Sequence, residues 1–292
     1  MGLAGYKRGH DMDKKIRMIA ADLDGTLLKD DKTVDPYTLE IISKVIKQGI
    51  IFVVATGRPY NGVPKELLDI EGMQYAITSN GARVVDISTG KAIIHKLLPR
   101  EKGIKALEIG AKFDTLQEIY YDGQGYADRD KMQNVEKYHR NPNMWNYFRQ
   151  TRKQVDSVMD MALNCEKDMD KMQILFPDLN DRELALEEVL KIEDINAVDS
   201  IGYNIEVNSK EAHKGAVLKE LADMLSIDIS EVMAFGDGDN DASMIKEAGF
   251  GVAMGNSGKM ALEVADYVTE TNDNNGVAKA IEKFVLMRGE KQ

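Results

Sequence analysis

The sequence predicts an α/β protein: a mainly parallel, Rossmann-like sheet into which an α+β domain is inserted. Apolar runs alternate with helix-period patterns at both ends of the chain, the rhythm of a parallel sheet covered on both faces. Three of these runs finish in small polar or acidic residues. Residues 16–21 lead into Asp22-Leu23-Asp24-Gly25-Thr26, residues 50–55 into Thr56-Gly57-Arg58-Pro59, and residues 232–235 into Gly236-Asp237-Gly238-Asp239-Asn240-Asp241. From about residue 88 to residue 203 the sequence is rich in charges and Met, and none of its strands ends in an acidic loop. Motif-bearing sequence on both sides of it implies a discontinuous core, residues 16–87 and 204–292, with residues 88–203 inserted.

Element by element, Asp35-Pro36 supplies an N-cap and a proline at the first helical position. Leu39, Ile42, Val45 and Ile46 then recur at helical spacing until Gly49. A strand over 51–55 is followed by a short helix near 62–68. Residues 75–78 read as a brief strand leading to Asn80-Gly81, and 83–87 with 92–95 as a hairpin around Thr89-Gly90. Within the insertion, strands are expected over 116–121 and 172–176, and helices over 102–113, 154–163 and 181–192. The last third repeats the core rhythm: helix 214–225, a strand from 232, helix 242–248, strand 251–254, a helix through 265, strand 267–269 and a helix from 277. Residues 1–15 hold no apolar core of a secretory signal and are expected to be a disordered tail.

At 292 residues the chain has reached the size at which one core stops growing and two domains form. Its 43% hydrophobic content supports a proper core and excludes intrinsic disorder. A net charge of -11 argues against a nucleic-acid partner, whose phosphates are bound by clustered Lys and Arg. A phosphorylated metabolite remains open, because a metal ion and one lysine supply positive charge locally. The single cysteine, Cys165, excludes an intrachain disulfide and fits a reducing cytoplasm. No apolar stretch reaches the roughly 20 residues that span a bilayer. The expectation is a cytoplasmic protein, monomeric or weakly dimeric, with no nucleic-acid or membrane partner.

Asp22 and Asp24, two positions apart at the mouth of an apolar strand, repel each other unless a cation sits between them. A hard divalent ion takes such oxygens, and magnesium usually combines one or two carboxylates with substrate phosphate oxygens. Taken singly, each motif has a plain reading: Asp24-Gly25 and Thr56-Gly57 as turns, Lys214-Gly215 as a surface lysine opening a helix. Their combination at strand carboxyl ends, where parallel sheets bind ligands, weighs more. Residues 237–241 have the D-x-D-x-D spacing of a calcium loop. An EF-hand, however, needs Gly at the sixth position and Glu at the twelfth, where this chain has Ala242 and Ala248. His95 and His213 have no metal-spaced partner and read as surface or packing residues. Tyr120, Tyr121, Trp145, Tyr147 and Phe148 read as the core of the insertion rather than a substrate platform.

The series Asp22–Thr26, Ala55-Thr56-Gly57-Arg58, Ser79-Asn80-Gly81-Ala82, Lys214-Gly215, Gly236–Asp241 and Gly251-Val252-Ala253-Met254-Gly255-Asn256 resembles a known family. It is similar to the haloacid dehalogenase-like (HAD) hydrolases, specifically the Cof-type phosphatases with a class IIB cap. The likeness spans about residues 16–287 and departs at no core motif position. It implies Mg2+-dependent hydrolysis of small phosphorylated metabolites, sugar phosphates or related monoesters, through an aspartyl-phosphate. Asp22 is then the nucleophile and Asp24 the group that protonates the leaving oxygen and later deprotonates water. Thr56, Gly57, Lys214 and Asn240 would bind the phosphoryl group, and Asp22, Asp24 and Asp237 the metal. Asp241 would pair with Lys214 or support the metal shell. The insertion becomes a lid that sorts substrates. A phosphotransferase or phosphomutase could use the same intermediate. A non-enzymatic phospho-acceptor domain also combines acids, a hydroxyl and a lysine, but leaves the insertion unexplained. An ion pump is excluded by the lack of membrane spans.

Overall fold

The structure, a computed structural model, describes residues 5–6 and 15–287. In chain order it opens with β1 (Gly5–Tyr6), β2 (Met18–Ala21), α1 (Pro36–Lys47), β3 (Ile51–Ala55), α2 (Lys65–Leu68), β4 (Tyr75–Thr78), β5 (Arg83–Asp86) and β6 (Lys91–His95). Next come α3 (Arg100–Gly110), β7 (Leu116–Tyr121), β8 (Gln124–Asp128), α4 (Arg129–Met132), α5 (Val135–Tyr138), α6 (Pro142–Thr151), β9 (Arg152–Val155) and α7 (Val158–Asn164). β10 (Lys171–Leu175), α8 (Leu179–Val189), β11 (Ile195–Val198) and β12 (Asn204–Ser209) follow. The chain closes with α9 (Lys214–Met224), β13 (Val232–Gly236), α10 (Ala242–Glu247), β14 (Phe250–Ala253), α11 (Lys259–Val264), β15 (Tyr267–Val268) and α12 (Gly276–Ile281).

These elements form two units. The first comprises residues up to Gly57, Val63–Ile94 and the chain from His213 onward. Its sheet has the order β1-β15-β14-β13-β2-β3-β4-β5-β6, parallel from β15 through β4. β1 on β15 and β5 on β4 run antiparallel. Both faces are covered, which is why the strands read as unbroken apolar runs. Ile19, Ala21, Phe52, Val54, Met233 and Phe235 pack on the side of α1 and α12. Their alternate neighbours Met18, Ala20, Val53, Ala55, Val232 and Ala234 pack against Val217, Leu218 and Leu221 of α9. The chain leaves β2 toward β3 and β4 on one side and later returns to β13 and β14 on the other. The sheet therefore has its topological switch point at β2, where ligands bind in such folds.

The second unit comprises Arg58–Gly62 and His95–Ala212. It is an α+β domain with a six-stranded sheet, β11-β12-β10-β7-β8-β9, antiparallel except for β8 beside β9. One sheet face, with Ile119, Met172, Ile174, Ile205 and Val207, is packed by α3, α7 and α8. Part of the other is covered by Met132, Val135, Tyr138 and Phe148 of α4 to α6.

Two sequence readings shift. The helix expected over 154–163 begins as β9, paired with β8, and α7 starts only after Ser157, whose Oγ accepts from the Asp160 amide at 3.0 Å. The insertion expected at 88–203 is displaced at both ends. β6 belongs to the first sheet, and β12 is paired between β10 and β11 in the second. A β-rich run preceding a motif looks the same in either sheet, so the sequence could not assign β12. The tail expected at residues 1–15 lies largely outside the described residues, apart from Gly5–Tyr6, which pair with Tyr267 and Val268.

Candidate active site

β2, β3 and β13 lie side by side, so the residues that follow them emerge at one edge of the sheet. Asp22 caps β2, its amide donating to Phe235 O at 3.0 Å. Lys214, the first residue of α9, is fully buried and reaches two acids at once, with Nζ 2.6 Å from Asp22 Oδ1 and 2.6 Å from Asp241 Oδ1. The second Asp241 oxygen accepts from the amides of Asp237 and Gly238 at 3.0 and 2.9 Å, which folds the acidic loop back on itself. Asp237 Oδ1 accepts from Thr26 Oγ1 at 2.8 Å. Gly25 permits this approach: its φ is 83°, and a Cβ there would lie 2.3 Å from Asp237 Oδ2.

Asp22, Asp237 and Asp241 each present an oxygen, all within 4.8 Å of one another. Burial, then the charge of Asp241, raises the Asp22 pKa well above the ordinary carboxylate value against the pull of Lys214. Burial and Asp241 likewise push Asp237 up to about 7. Burial works against the Lys214 ammonium, but Asp22 and Asp241 outweigh it and hold its pKa above the usual lysine value. Lys214 pairs with two of the three carboxylates, Asp22 and Asp241, so the cluster is short of positive charge. Hard oxygen donors with excess negative charge fit a divalent cation of the magnesium class.

The other residues named from the sequence are near but differently engaged. Asp24 is not among the three clustered carboxylates; its Oδ1 pairs with Lys32 Nζ at 3.0 Å. Thr56 is buried at the end of β3, its amide on Ile77 O at 2.9 Å. Asn240 Nδ2 donates to Asn80 Oδ1 at 3.2 Å. His95 and His213 are exposed. Tyr121 and Phe148 are buried in the apolar clusters of the second unit, and Trp145 and Tyr147 pack against the latter's cluster. Sequence reasoning assigned no role to Thr26, Lys32 or Asn256, although Asn256 Nδ2 donates to Gly25 O at 2.8 Å and braces the Asp22 turn. Thr26 and Asn256 lie in motifs that were visible; Lys32 carried no signal.

The family model for haloacid dehalogenase-like hydrolases matches residues 19–281. A 5-amino-6-(5-phospho-D-ribitylamino)uracil phosphatase of Bacillus subtilis is 31% identical over 274 residues, covering 94% of this chain and 98% of the relative. The crystal structure of a haloacid dehalogenase-like hydrolase from Bacteroides thetaiotaomicron is similar at TM-score 0.78 and 27% identity, covering 92% of this chain and 99% of that one. A HAD subclass IIB sugar phosphatase shares the fold at TM-score 0.78 and 24% identity, covering 92% and 98% of the two chains. With the model match and the phosphatase relative spanning nearly the whole sequence, the chain belongs to the haloacid dehalogenase-like hydrolases, as a Cof-type phosphatase.

Proposed function

We propose that the protein is a Mg2+-dependent phosphatase that hydrolyses small phosphorylated metabolites, sugar phosphates or related monoesters, through an aspartyl-phosphate on Asp22. The observation that carries this is the cluster of Asp22, Asp237 and Asp241, in which the one ammonium of Lys214 pairs with Asp22 and Asp241. Asp22 and Asp237 would hold the ion, with Asp241 beside them. Bound there, Mg2+ supplies charge neutralisation for the phosphoryl oxygens.

The chain's own residues account for the rest. An Asp22 oxygen attacks phosphorus and the ester P–O bond breaks, leaving the phosphoryl group on Asp22. Asp24, outside the carboxylate cluster, gives its proton to the departing alkoxide. The same carboxylate then takes a proton from water, which attacks phosphorus; the bond to Asp22 breaks and inorganic phosphate leaves. Lys214 orients Asp22 and offsets charge throughout. Thr56, Gly57 and Asn240 position the phosphoryl oxygens. The relatives named for a phosphorylated ribityl compound and for sugar phosphates support a polyol or sugar monoester as the substrate class. Phosphate release should be measured across sugar, nucleotide and cofactor phosphates, with Mg2+ and with excess EDTA. Acid-quenched turnover should leave a phosphoryl group on the Asp22 peptide. Full activity in EDTA would remove the metal from the account, and a steady state without the Asp22 adduct would remove the covalent step.

A further inference from the structure

Ser79, Asn80 and Gly81 follow one another at φ 52°, 60° and 98°, and all three are buried. Two successive non-glycine residues in the left-handed region are costly, and such strain persists only where the surroundings enforce it. The surroundings here are the three segments that carry the phosphate-site residues. The Asn80 amide donates to Thr56 O at 3.0 Å. Its side-chain oxygen accepts from Asn240 Nδ2 at 3.2 Å, across 160 positions of sequence. A Cβ on Gly57 would lie 2.8 Å from that same oxygen, and one on Gly81 would lie 3.0 to 3.2 Å from the His213 backbone, next to Lys214.

We propose that Asn80 is a positioning residue, held in a strained turn so that one amide and one side-chain oxygen set Thr56-Gly57 and Asn240 at a common distance for the phosphoryl group. The inference rests on the assignment of Thr56, Gly57 and Asn240 to phosphate binding. With one Asn240 Nδ2–H fixed on the Asn80 oxygen, the direction of the second N–H is fixed too, so Asn240 is aimed before substrate arrives. Gly57 is required because any side chain there would displace the Asn80 oxygen.

The test uses the full chain with inorganic phosphate as competitive inhibitor of an aryl phosphate. Asn80→Gly keeps the left-handed backbone and its amide but deletes the side-chain brace. It should raise the phosphate inhibition constant and KM on the order of tenfold, the worth of about one lost hydrogen bond to a charged site's partner. kcat should fall less and the thermal midpoint should hold, a split that loss of fold would not produce. Gly57→Ala reaches the same oxygen without altering the turn and should weaken phosphate similarly. The double variant Gly57→Ala/Asn80→Gly should be no weaker than Asn80→Gly alone, since the clash partner is gone. Additive losses, or an Asn80→Gly protein with wild-type phosphate inhibition, would overturn the inference. If Asn240→Ala weakens phosphate while Asn80→Gly does not, only the positioning role fails; if neither does, the phosphate site itself is misassigned and both readings fall.

Discussion

The two units each bury a group of ionic side chains, and they balance them differently. In the second unit, Arg152 Nε meets Glu118 Oε1 at 2.9 Å while its Nη2 donates to Tyr120 Oη at 3.0 Å, and Lys171 Nζ meets Glu206 Oε2 at 2.8 Å. These side chains are at most 8% exposed in either pair, and each of these two acids has its own base. In the first unit, Lys214 serves both Asp22 and Asp241, and among the described residues Asp237 has a threonine hydroxyl but no ion pair of its own. Paired charges satisfied on a sheet face are structural. A buried excess of carboxylate, with pKa values forced upward, marks a place that expects a cation from outside.

Breaking each group should therefore have different consequences. Asp22→Asn keeps shape but removes the attacking charge, so turnover should fall on the order of 10³-fold or more while the fold survives. Steady-state phosphate release and a circular dichroism melt check both halves, and near wild-type hydrolysis of alkyl phosphates would dismiss the nucleophile. Glu118→Ala should act on stability, because it strands the buried Arg152 guanidinium. The expected cost is about 3–5 kcal/mol in urea unfolding of the second unit, with much of it recovered when Arg152 is also made apolar. A loss below about 1 kcal/mol would mean the pair is not buried in solution.

The pH response sharpens the contrast. In the metal-free protein, the folded pKa values of Asp22 and Asp237 stand above their unfolded values. The folded state then binds more protons than the unfolded state, so stability present at low pH is lost as pH rises through the window ending near 7 for Asp237. The loss should be on the order of a few kcal/mol, and Asp237→Asn should flatten it. Asp114 runs the opposite way: hydrogen bonds from Lys131, Lys137 and Tyr138 depress its pKa. Its contribution is present above the unfolded carboxylate value and fades as acid protonates it. With its side chain 45% exposed, Asp114→Asn should change acid unfolding by less than about 1 kcal/mol. A larger change would point to coupling beyond this surface cluster.

The core was legible in the sequence because parallel strands buried on both faces show as apolar runs, and their ends carry the polar residues. Asp35-Pro36 announced α1, and the Asp35 carboxylate does accept from the Tyr37 amide at 2.9 Å. The second unit was harder. β9 reads Arg152-Lys153-Gln154-Val155, with no alternation to signal a strand, and its place depends on pairing with β8. α6 carries a local signal in the cap Asn141-Pro142, where Asn141 Oδ1 accepts from the Asn143 amide at 3.0 Å. At the site, the residue types were visible but their engagements were not. The Asp24–Lys32 pair, the Asn240–Asn80 bond and the Asn256 brace on Gly25 are tertiary contacts that no local pattern encodes.

The charge deficit at the end of β2 is tested most directly by thermal unfolding of the first unit at neutral pH as Mg2+ is titrated in, wild type beside Asp237→Asn. An ion that binds only the folded cluster must raise the melting temperature with concentration. A saturable rise is expected for the wild type and little or none for Asp237→Asn, which should start from the higher metal-free value. A wild-type melting temperature indifferent to Mg2+, or an equal rise in the variant, would contradict it.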